Sequence, residues 1–274
     1  MDIALSCASG NRFDVSQTVS SHSALAGVVA GVLFTGIVLV VSIRGKSDSD
    51  EFHRVAALEV MMAALLAMLV SSFLFSASGG ETICQRSSFG YATAGALFAA
   101  AGAATFQALA WMLMSFEPGN SGLSMIAGFA RFLVCGLAIG HIYLTIDDLA
   151  SWYPQSRSLD VSNSLFAIAG ALILVGAVVF WWTVDSSRHA PRSTIGAYVL
   201  LGTTAFAVGA YDVIASLHID RWEADSAPPG LTLGVAILLT GCLGSIGISM
   251  TVGPRRRPAP PRIHEPPAGE QLPT

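Results

Sequence analysis

Long apolar runs separated by short polar turns dominate this chain. A bilayer core about 30 Å thick calls for roughly 20 consecutive apolar residues per helix. Seven runs reach that length, at 24–43, 55–76, 91–115, 123–146, 163–183, 194–217 and 230–252. The pattern predicts an all-α membrane protein, a bundle of seven transmembrane helices over 24–252. A polar, Ser-rich tail precedes it at 1–23, and a Pro- and Arg-rich tail expected to be disordered follows at 253–274.

Composition agrees with that pattern. Of 274 residues, 53% are hydrophobic and 12% charged, against about 25% charged in an ordinary soluble domain. The small net charge of −4 and the scatter of basic residues over loops argue against nucleic acid as a partner. Orientation follows from the basic residues of alternate loops. One side carries Arg44, Lys46, Arg54, Arg188, Arg192, Arg255, Arg256, Arg257 and Arg262, and the other Arg12, Arg86, Arg157 and Arg221. The amino terminus is therefore expected outside the cell membrane and the carboxyl terminus in the cytoplasm. Residues 1–23 lack a basic stretch followed directly by an apolar core, so no cleavable signal peptide is read there.

Small residues recur at helical spacing: Gly27, Gly31 and Thr35 in the first run, Gly136 and Gly140 in the fourth, and Gly234, Gly241 and Gly244 in the seventh. Such stripes let helices approach closely, within the chain or toward other membrane proteins. Cys7 and Cys84 are expected to share the outer, oxidising side, which makes them a candidate disulfide. Cys135 and Cys242 fall inside runs, where thiols act as small packing groups.

The polar residues inside the runs are the candidate chemistry, because ionisable groups in a membrane are costly. Counted from the inner boundary, Gln107 on the third run and Arg131 on the fourth each lie eight residues up, about 12 Å deep. Glu59 on the second run lies nearer the surface, about 6 Å deep, but its side chain and that of arginine are long. An Arg131–Glu59 ion pair with Gln107 beside it is the expected inner cluster. In the outer layer, His141 and Asp212 each lie eighteen residues up their runs. Tyr211 is beside them, and an acidic rim at Asp147 and Asp148 offers a conceivable cation site. A His141–Asp212 contact is expected from this equal depth.

Several chemistries are excluded. Lys46 is the only lysine and lies in a loop, so no retinal Schiff base can form inside the bundle. Gly119-Asn120-Ser121-Gly122 is similar to the GxSG signature of rhomboid-type intramembrane proteases over those four residues. The sixth run offers only His218, at its far outer end, to activate a serine, so the segment reads as a helix-starting turn. No catalytic, cofactor-binding or metal-ligating set is readable. Besides lipid, the expected functions are transport or sensing of a small molecule or ion through the buried polar residues, an accessory or scaffold role, and lastly an intramembrane hydrolase.

Overall fold

The computed structural model describes residues 15–42, 48–116, 121–151, 153, 170, 191–217 and 230–251. Six long helices account for nearly all of them. They are α1 (Val15–Ser42), α2 (Asp48–Gly79), α3 (Cys84–Phe116), α4 (Ser121–Ser151), α5 (Pro191–Ala215) and α6 (Leu231–Thr251). Each is long and apolar enough to cross a membrane, so the chain is a helical multi-pass membrane protein. The expected span at 163–183 lies outside the described residues except for Gly170, which is helical and buried.

Local chemistry sets several helix ends. Pro191 opens α5 at the position where its missing N–H is not needed. Gly230, with φ of +83°, turns the chain into α6 in a conformation that disfavours side chains. Between α2 and α3 the chain reverses through Gly80, whose N–H donates to the Ala77 carbonyl at 3.2 Å. Ser87 Oγ then ties α3 back to the Ser78 carbonyl at 2.8 Å. α4 begins at Ser121.

α3 is the hub and packs against each of the other five helices. Its alanines explain this. Ala92, Ala94, Ala96, Ala100, Ala103 and Ala108 are all buried, and side chains this small let neighbouring backbones come close on several sides. α1 sits at the periphery against α2 and α3. It turns Val28, Val32, Phe34 and Val41 outward, as a lipid-facing surface should. Its buried seam runs Val19, Ala26, Ala30, Leu33, Ile37, Val40, the three-and-four spacing of a helix face.

Contacts between helices define two ends of the bundle. At one, His22 of α1 meets Tyr91 of α3 and His141 of α4, Tyr211 of α5 stacks on Phe89 of α3, and Ile214 of α5 reaches Gly234 of α6. At the other, Ala56 and Ala57 of α2, Trp111 of α3 and Ile248 of α6 cluster, and Gly196 near the start of α5 lies against Ile248. α4 therefore finishes at the His22 end, and α5 starts at the Trp111 end.

Three expectations change. α1 begins at Val15, so the last residues of the supposed polar tail are helix. Serine is tolerated there because its hydroxyl bonds neighbouring helices: Ser23 Oγ meets Ser76 Oγ at 2.8 Å, and Ser72 Oγ donates to the Ser23 carbonyl at 3.0 Å. Gly31 and Thr35 are exposed, with open space where a Gly31 Cβ would stand; the close approach falls at Gly36 instead, against Met61. A tryptophan near a span's end is expected at the membrane interface, yet Trp111 is buried.

Candidate functional site

The inner polar layer forms in part. Arg131 on α4 and Gln107 on α3 are both buried, and Arg131 Nη1 donates to Gln107 Oε1 at 3.1 Å. A guanidinium hydrogen bond to an amide oxygen is charge-assisted and stronger than a neutral one. Glu59 is half-buried on α2, and the expected ion pair with Arg131 is not among the contacts between described residues. The helices are not close neighbours: α2 packs on α1, α3 and α5, whereas α4 packs on α3 and α6.

The outer layer is rearranged. Asp212 is exposed on α5, a helix that packs on α2, α3 and α6, whereas α4 packs on α3 and α6. The expected His141–Asp212 contact is not among the contacts between described residues. Tyr211 turns to Phe89, with ring centres 6.2 Å apart and planes nearly parallel at 7°. The hydroxyls that made α5 look polar are satisfied by their own helix: Thr203 Oγ1 donates to the Val199 carbonyl at 2.7 Å and Thr204 Oγ1 to the Leu200 carbonyl at 2.8 Å. Hydroxyls bonded this way have spent their one donor on their own helix.

His141 finds a different partner, one that the sequence reading placed in the tail. The His22 ring lies 6.4 Å from that of His141, centre to centre, with planes tilted by 53°. Tyr91 Oη lies 3.4 Å from His22 Nδ1. Around them stand Phe75, 5.5 Å from His22 in a stacked arrangement, and Phe98, 6.5 Å from His141 edge-on. Four helices thus contribute rings: His22 from α1, Phe75 from α2, Tyr91 and Phe98 from α3, and His141 from α4. Gly95 makes the meeting possible. A Cβ there would approach Thr145 Cγ2 to 3.0 Å and His141 Nε2 to 3.3 Å, so a side chain would crowd the imidazole.

His141 Nε2 is shielded from solvent and has no hydrogen-bond partner. Leaving such a group unsatisfied costs about 1–3 kcal/mol. Thr145, one turn on, does not answer it, because its hydroxyl donates to the Ile142 carbonyl at 2.9 Å. Among the described residues no three His, Cys, Asp or Glu side chains converge as a metal would ask.

No protein-family model matches the chain, and no curated protein or solved structure matches it either.

At the same end, Glu81 and Arg86 form an ion pair beside the α2–α3 turn, with Arg86 Nη2 donating to Glu81 Oε1 at 2.6 Å. Burial alone would raise the Glu81 carboxyl. The Arg86 hydrogen bond and charge, with the Ile83 and Thr82 amides, outweigh it and hold the group below the ordinary carboxylate range.

His22 was within reach of the sequence. Stepping the buried seam of α1 back from Ala26 by four and then three gives His22 and Val19, and Val19 is buried.

Proposed function

We propose that the chain is a seven-helix protein of the cell membrane that moves or senses a small molecule or ion through polar side chains inside its bundle. The observation that carries the reading is the His22–Tyr91–His141 group, in which a histidine nitrogen shielded from solvent is left without a partner among aromatic rings. Packing alone gives no return for such a nitrogen, whereas a ligand offsets its cost. The test is reconstitution in liposomes with a panel of ions and small solutes, reading permeability and melting temperature. At least one solute should produce a response that His22→Gln and His141→Gln abolish while helical content is kept. A protein that responds to nothing in the panel, or whose responses survive both substitutions, would sink the reading.

The seventh crossing is part of the proposal. α4 finishes at one end of the bundle and α5 starts at the other, so residues 152–190 have to carry the chain across. That length exceeds the roughly 20 residues a span needs. Gly170, helical and packed so that a Cβ would sit 2.6 Å from Ile139 Cγ2, supports it. With seven crossings the basic-residue count puts the amino terminus outside. Cys7, which lies outside the described residues, would then stand on the same side as Cys84; among the described residues the free cysteines are Cys135 and Cys242. Reporter fusions giving cytoplasmic signals at both termini would overturn the crossing count, and alkylation of Cys7 and Cys84 without reductant would overturn the candidate disulfide.

A second reading, an accessory subunit docking other membrane proteins, is favoured by Gly31 and Gly140. Both are exposed, with nothing within 4 Å of a built Cβ.

A further inference from the structure

The spacing of the two histidines narrows what can lie between them. Take about 1.1 Å from an imidazole nitrogen to its ring centre. A direct N–H···N hydrogen bond of about 2.9 Å then sets the centres about 5.1 Å apart. An ion at about 2.0 Å from each of two nitrogens sets them about 5 Å apart at a tetrahedral angle and about 6.2 Å apart in line. The observed separation is 6.4 Å, longer than a direct hydrogen bond sets and within about 0.2 Å of the in-line spacing for two facing nitrogens.

The surroundings select the kind of ion. Divalent zinc asks for three or four protein donors, and no third His, Cys, Asp or Glu joins the pair among the described residues. A double charge between Phe75 and Phe98, with no carboxylate paired to either imidazole among the described residues, would also be poorly compensated. A monovalent d¹⁰ ion needs less of both, and imidazole is a good donor to copper. Tyr91 Oη at His22 Nδ1 is placed to orient that ring, as a hydrogen-bonding neighbour of a metal ligand does, and leaves its Nε2 for the ion. His141 Nε2 has no competing partner. His22 is only half-buried, about two turns from the start of α1, which gives an ion a way in.

We propose that His22 and His141 bind one copper(I) ion in line between their imidazoles. This rests on the reading of the same group as a ligand site and names the ligand.

The experiment is an anaerobic titration of the purified full-length protein with copper(I) against a chromogenic copper(I) chelator. It is paired with X-ray absorption on the loaded protein. One ion per chain is expected, with two nitrogen neighbours and no sulfur. His22→Gln and His141→Gln should each weaken binding by at least about 100-fold. Gly95→Ala, which keeps both imidazoles but crowds His141 Nε2, should weaken it less and serves if the histidine variants do not fold. Copper held by sulfur, or binding that survives both histidine substitutions, marks the thiols Cys135 and Cys242 as the site and overturns the proposal. So does an absence of binding, as expected if a water bridges the rings. If copper binding fails while the liposome response and its dependence on His141 persist, only the identity of the ligand falls.

Discussion

Arg131 and His141 lie on the same helix, yet the bundle treats them in opposite ways. The guanidinium, the more expensive group to bury, is given an amide oxygen by the neighbouring helix. The imidazole, which is cheaper to bury, is packed against the rings of His22 and Phe98 and left with a bare nitrogen. A polar group that is satisfied stabilises one arrangement of helices; a polar group left open at a helix junction keeps a place for something else. The Arg131 end therefore reads as architecture and the His22 end as site.

Two substitutions test this contrast directly. Gln107→Leu removes the acceptor and leaves a buried charge short of one hydrogen bond, so stability should fall by about 1.5–3 kcal/mol. His141→Phe removes a nitrogen that bonds to nothing and keeps an aromatic ring, so stability should change by less than about 1 kcal/mol while any ligand response disappears. Thermal unfolding in detergent measures both. If His141→Phe proves the more damaging, the assignment of roles is reversed.

The smallest effect concerns the ion pair at the His22 end, which is satisfied although it stands near the open site. Because the Glu81 carboxyl is held below its ordinary range in the folded protein, its contribution is complete above the unfolded value of about 4.3. It is lost as pH falls through the lowered folded value. Glu81→Gln should lower stability at neutral pH by about 1 kcal/mol or less and flatten the acid side of the profile. A loss that sets in near neutral pH would point to a different group.

Much of the fold was legible because lipid imposes a length on every crossing, and the apolar runs announce it. Arg131 and Gln107 were also found by counting depth. The same count misled at His141 and Asp212, since depth is one coordinate of three and does not say which helices are neighbours. Thr203 and Thr204 misled in another way: a hydroxyl looks polar in the sequence, but in a helix it is quieted by the carbonyl one turn back. His22 is hidden in the sequence because its Ser-rich flank reads as a polar tail. That flank is helical, and its hydroxyls bond to α2.

Those serines have a consequence for how the protein assembles. The apolar window of α1 is 28% buried, against 78% for α3, so the first helix has little packing to hold it. The Ser23, Ser72 and Ser76 contacts supply a specific latch to α2. In a two-stage view of membrane folding, helices insert first and associate afterwards. The helix made earliest then completes the site last, and His22 reaches His141 only after the latch has closed, so an unfinished bundle carries half a site.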